Sequence, residues 1–165
     1  MSPATVADPA LIEETLAAVP LLSRLSTRQR ARLAGLATTR AYEAGWVIVR
    51  EGDTSMALYV ILAGSVRIER ESKGGRVHVH DAGPNGFFGE MGLIDDLPRS
   101  ATVIAQEPTE CALLAKWDFQ NELRHDPDIA LALLPVLTER IRRLDARVAD
   151  GQPDTVHGGD VALRN

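Results

Sequence analysis

Residues 83–103 read GPNGFFGEMGLIDDLPRSATV, a run that crowds glycines, one carboxylate and one arginine together. Gly89 and Gly92 let the backbone approach a ligand closely, and the turn from Met91 through Leu93 to Ile94 can present amides at the start of a short helix. Amides so placed bind phosphate. Arg99, set behind Pro98 at the head of the next apolar run, adds a two-pronged donor that matches phosphate oxygens better than lysine does. Glu90 would repel that anion unless it accepts a hydrogen bond from a nearby hydroxyl, as acidic residues do for ribose in dinucleotide sites. Phosphate, ribose and small size together point to a mononucleotide. Against this stand plainer readings: an ion pair of Arg99 with Asp95 or Asp96, and Glu90 as a carboxylate at a helix N-terminus.

Outward from that run, residues 39–115 are short apolar stretches punctuated at Gly45, Gly52-Asp53, Gly64, Gly74-Gly75 and Gly83-Pro84-Asn85-Gly86. Val66 and Ile68 alternate with Arg67 and Glu69, the mark of a half-buried strand, whereas ALYVILA at 57–63 suits a strand buried on both faces. The expected class is α+β, mainly β: an antiparallel β-roll or jelly roll of about eight strands flanked by helices at both ends. Residues 11–38 are read as N-terminal helices, with Ser26 and Gln29 forming a capping box on a helix that buries Leu33 and Leu36. Residues 116–150 are read as C-terminal helices, with Asp126 capping, Pro127 in the first position and Pro135 breaking or kinking the helix. Leu137, Ile141, Leu144 and Val148 form a seam that packs on its own barrel or on a second subunit, giving a homodimer through this helix. Residues 1–10 and 151–165 read as flexible ends, with Gly151 closing the last helix.

The order Phe88-Gly89-Glu90, then Gly92-Leu93, then Pro98-Arg99-Ser100-Ala101-Thr102 resembles the phosphate-binding cassette of the cyclic nucleotide-binding domain family. Gly52-Asp53 and Ala63-Gly64-Ser65-Val66 fall where that family places sharp turns, so the resemblance runs over most of residues 20–148. It implies a non-catalytic sensor of cAMP or cGMP, with no cofactor, in which Glu90 takes the ribose 2′-hydroxyl and Arg99 the exocyclic phosphate oxygens. Gly89, Met91, Gly92, Leu93, Ser100 and Ala101 would complete the ligand-binding set. Ser100 stands where a hydroxyl can reach guanine, yet several cAMP sensors also carry serine there, and cAMP is favoured. The resemblance further implies that the helix after the roll covers the base, here through Leu137, Arg140, Ile141 and Leu144. Two departures stand out: Gly83-Pro84-Asn85-Gly86 replaces G-P-G-D, and little sequence follows Asp150, so a helix-turn-helix DNA-binding unit is not expected. Asn85 tolerates the left-handed conformation that the turn needs.

The remaining features are read more simply. The 165 residues carry 18 Lys+Arg against 23 Asp+Glu, a net charge of -5 that excludes a broadly basic nucleic-acid footprint. Neither a signal peptide nor an apolar run of membrane-spanning length is visible, and Cys111 is the lone cysteine, so a cytoplasmic protein is expected, acting on an effector protein that the residues do not name. His78 and His80 have a metal-ligand spacing that suits a cupin-type enzyme on a similar roll, but no glutamate follows closely enough. They read as exposed histidines opposite a buried Val77–Val79 pair, with no metal; a ligand-free module of the same fold is the remaining alternative. Cys111, Trp46, Trp117 and Phe119 read as core or barrel-end packing.

Overall fold

The glycine-punctuated strands close into two four-stranded antiparallel sheets in a computed structural model that describes residues 8–151. One sheet has the order β1 (Thr38–Tyr42), β8 (Thr109–Ala115), β3 (Ala57–Ala63), β6 (Phe87–Phe88). The other has the order β2 (Val47–Val49), β7 (Thr102–Ala105), β4 (Val66–Ser72), β5 (Gly75–Ala82). Helices α1 (Pro9–Ala17) and α2 (Thr27–Leu36) precede the roll, and α3 (Lys116–His125) and α4 (Pro127–Ala149) follow it.

The first sheet is the middle layer, which explains why β3 is apolar on both sides. Leu58 and Val60 join Ala112 and Leu114 in a core shared with Leu16, Leu33, Phe119 and Ile129 of the helices. Ile61 points the other way, into the roll interior with Val66, Ile68, Phe88, Val103 and Cys111. Burial pushes the Cys111 thiol up to about 12, so this cysteine is an inert core residue. The expected capping box is present: Gln29 N–H donates to Ser26 Oγ at 3.2 Å, and Ser26 N–H donates to Gln29 Oε1 at 3.0 Å. Asn85 takes φ +65, and Gly86 N–H donates to the Gly83 carbonyl at 2.8 Å, so the altered turn closes as expected.

Several expectations need correcting. Pro135 does not end a helix: α4 runs unbroken for 23 residues, and the chain breaks instead at Asp126, between α3 and α4. Pro135 is exposed, so water can reach the carbonyl its missing N–H would have bonded, and Thr138 Oγ1 donates to the Leu134 carbonyl at 2.9 Å. At the other end α1 starts at Pro9 inside the segment read as flexible, because Asp8 caps it by accepting the Ala10 N–H at 3.0 Å. Residues 1–7 and 152–165 lie outside the described residues. Leu33 is buried but Leu36, the last residue of α2, is exposed.

On β5 the expected burial is not found: Val77 and Val79 are exposed with His78, while His80 is half-buried. The cause is topological, since β7 pairs with β4 only from Val66 to Glu69, so the outer half of the β4–β5 hairpin has no third strand beside it. Trp46, in the β1–β2 turn, and Trp117, in the first turn of α3, are also exposed, whereas Phe119 is buried.

Gly64, at φ +84, turns β3 into β4 where a Cβ would press on the Pro108 carbonyl and Thr109, whereas Gly45, at φ +82, faces open space. Gly64→Ala should therefore lower unfolding free energy by about 3 kcal/mol and Gly45→Ala by about 1 kcal/mol in urea titrations. Equal losses would show that the Gly64 turn is not packed as described.

Candidate functional site

Arg99 is assembled into place by backbone. The Gly52-Asp53 turn clamps its main chain on both sides, with Gly52 N–H donating to the Arg99 carbonyl and Arg99 N–H donating to the Asp53 carbonyl, both at 2.8 Å. Its side chain is drawn inward until only 4% of the residue is exposed. There Nη2 donates to the Ala57 carbonyl at 2.7 Å, and the guanidinium carbon lies 5.5 Å from the centre of the Tyr59 ring. Gly89, at φ +87, is what makes room, because a Cβ there would overlap both the guanidinium and the Ala57 carbonyl. Gly92 is equally constrained, since a Cβ would run into the buried Ser55 hydroxyl.

Asp96 is taken by Lys116 at 2.7 Å, and the ammonium keeps its carboxyl below the usual carboxylate range. Lys116 Nζ also donates to the Asp95 carbonyl, and Asp95 Oδ1 accepts the Leu97 N–H at 3.2 Å. Glu90 precedes the single helical turn Met91–Leu93 but makes no capping bond to it. It is instead 2% exposed, and its Oε1 accepts from Arg140 Nη1 of α4 at 3.2 Å. The same Arg140 nitrogen lies 3.7 Å from Met91 Sδ.

Of the expected ligand-binding residues, Gly89, Glu90, Met91, Gly92 and Leu93 follow one another from β6 into the helical turn, and Arg99, Ser100 and Ala101 lead into β7. The two stretches meet where the Arg99 guanidinium lies against Gly89. The four expected cover residues divide. Arg140 reaches the cassette and Leu137 packs half-buried on the helical core, whereas Ile141 and Leu144 are 59% and 49% exposed. Val148, further along the same seam, is 62% exposed. His78 Nε2 lies 2.8 Å from Asp81 Oδ1, both on β5. Among the described residues no three His, Cys, Asp or Glu side chains are grouped to hold a metal ion.

Residue-type reasoning missed the floor of the site. Ser55, Ala57 and Tyr59 lie against Gly92, Arg99 and Phe88; Ala57 and Tyr59 belong to the 57–63 stretch that reads as core, and Ser55 precedes it. The available signal was their spacing of two, which puts all three on one side of an extended strand. Burial raises the Tyr59 phenol above its usual range, so the ring is neutral at physiological pH.

A buried guanidinium beside glycine backbone, with a buried carboxylate a few residues away, can hold a small anion that also carries a hydroxyl. The fold is a β-roll in which such a site lies between β6 and β7. The profile described as Cyclic nucleotide-binding domain matches residues 39–126, so the chain belongs to the cyclic nucleotide-binding domain family. It is 37% identical over 113 residues to the cAMP-dependent protein kinase regulatory subunit of Eremothecium gossypii, across 68% of this chain and 24% of that protein. It is also 37% identical over 107 residues to the Cyclic AMP receptor protein of Thermus thermophilus, across 64% of this chain and 50% of that protein. The chain thus spans a quarter to a half of these curated relatives. Among solved structures, the N-terminal domain of a transcriptional regulator from Streptomyces coelicolor superposes with a TM-score of 0.74 at 31% identity, over 80% of this chain and 95% of that one. The matched span is that of a binding domain rather than a catalytic one. No helix among the described residues is long and apolar enough to cross a membrane.

The Glu90–Arg140 pair makes a testable link between cassette and α4. Arg140→Ala should lower unfolding free energy by about 2 kcal/mol, because it takes a partner from a buried carboxylate, and adding Glu90→Gln should restore part of that loss. Additive losses in the double variant would show that the pair is not coupled.

Proposed function

We propose that this domain binds a 3′,5′-cyclic nucleotide, cAMP in preference to cGMP, and relays its presence to an effector protein without catalysing a reaction. The observation that carries the reading is the buried Arg99 guanidinium, held by the Ala57 carbonyl against the Gly89 backbone. A cation fixed in this way before ligand arrives loses little freedom on capturing a singly charged cyclic phosphate. Glu90, already buried, would accept the ribose 2′-hydroxyl, while the backbone of Gly89, Gly92, Leu93, Ser100 and Ala101 lines the remaining ligand edge.

α4 is the element read as carrying the signal. Leu137 and Arg140 are the part of the proposed cover that already meets the domain, and closure of Ile141 and Leu144 over the base would turn about the non-helical Asp126. Asp126 is held by α2, with Gln29 Nε2 donating to Oδ2 at 3.1 Å and Arg32 Nη1 3.6 Å away. The exposed Ile141, Leu144 and Val148 support homodimerisation along the same helix. The acidic balance supports a protein effector over DNA, and a cytoplasmic setting suits a ligand of this class.

Calorimetric titration of nucleotide-stripped protein tests the reading. cAMP should bind more tightly than cGMP and far more tightly than 5′-AMP, and Arg99→Leu should weaken cAMP by roughly ten- to a hundredfold while the circular dichroism spectrum is kept. Ser100→Ala should weaken cGMP more than cAMP. No heat at millimolar cAMP, or normal binding by Arg99→Leu, would refute it.

A further inference from the structure

The Arg99 guanidinium donates to the Ala57 carbonyl and lies against the bare backbone of Gly89, and it also faces an aromatic ring. Tyr59 stands on β3 opposite Phe88 of β6, and the two rings stack with centroids 4.8 Å apart and planes 8° from parallel. The guanidinium carbon lies 5.5 Å from the centroid of the same Tyr59 ring, inside the range of cation–π attraction. Tyr59 also packs, partly buried, against the cluster inside the roll that holds Ile61, Val66, Ile68 and Phe88. Phe88 is followed directly by Gly89 and Glu90. One ring therefore touches both halves of the cassette: the stretch that leads to Glu90, through Phe88, and the stretch that carries Arg99.

We infer that Tyr59 is a positioning residue for nucleotide capture, whose ring face holds the Arg99 guanidinium for the ligand phosphate. The inference rests on the nucleotide-binding reading and deepens it. A guanidinium gains from a ring face in a way that an ammonium on a flexible stem does not, so the requirement for arginine at position 99 follows from the interior wall as well as from the phosphate. The Tyr59 side chain stays out of the ligand-binding set and acts through Arg99 alone. Its ring electrons, and not its hydroxyl or bulk alone, are what binding depends on.

The test is cAMP titration of the full chain carrying Tyr59→Phe, Tyr59→Leu, and phenylalanine analogues at position 59 with one, two and three ring fluorines. Fluorination drains the ring face while nearly preserving shape, so it separates the attraction to Arg99 from packing and keeps the test open if Tyr59→Leu fails to fold. Tyr59→Phe should bind within about twofold of the parent and Tyr59→Leu on the order of tenfold more weakly, with affinity falling stepwise along the fluorinated series. Equal affinity across the fluorinated series overturns the inference while leaving cAMP binding intact, as does unchanged binding by Tyr59→Leu. Absence of cAMP binding by the parent chain overturns the nucleotide-binding reading, and this inference with it.

Discussion

Burying a guanidinium is the constraint on which the rest of this domain depends. An arginine cannot shed its charge, so it can leave water only where an opposite charge, fixed dipoles or a polarisable surface replaces its hydration. Here those replacements come from distant parts of the chain: the Ala57 carbonyl at the head of β3, the Tyr59 ring, and a stretch of β6 backbone kept bare by Gly89. The Gly52-Asp53 turn then fixes the arginine main chain by two hydrogen bonds. Each element must be correctly paired before the next can serve, so the register of β3 with β6 and β8 is also the geometry of the site.

The same logic carries the site outward to the helices. Glu90 is buried in the cassette stretch and accepts a hydrogen bond from Arg140. Because Arg140 belongs to α4, a change at the carboxylate changes what holds that helix. α4 is in turn capped by Asp126, which α2 holds through Gln29 and Arg32, so the N-terminal helices brace the junction between α3 and α4. A two-state element needs such a differential contact to be biased by ligand.

Much of this was legible in residue order, for identifiable reasons. Turn glycines and Asn85 declare themselves because positive φ is a local demand, and Val66 to Glu69 alternate because β4 is covered there on one face only. The cassette could be read because its parts lie within some twenty residues of one another in the chain. Tyr59 was hidden because it meets Arg99 across forty residues, through strand pairing that no local pattern encodes. Val77 and Val79 misled because alternation tells which residues share a face, not whether anything covers it. Pro135 misled for a related reason: the cost of a proline within a helix falls where its orphaned carbonyl faces solvent, and exposure is a property of the fold.

The central claim is that Arg99 is already set for its ligand and that the cassette receives the phosphate on a prepared cation. A crystal structure of the complex with cAMP tests it most directly. The account predicts the exocyclic phosphate oxygens within about 3 Å of the Arg99 guanidinium, with the bond to the Ala57 carbonyl and the Tyr59 contact both kept. A complex in which Arg99 has left that carbonyl and turned to solvent, or in which the phosphate is held elsewhere, would contradict it.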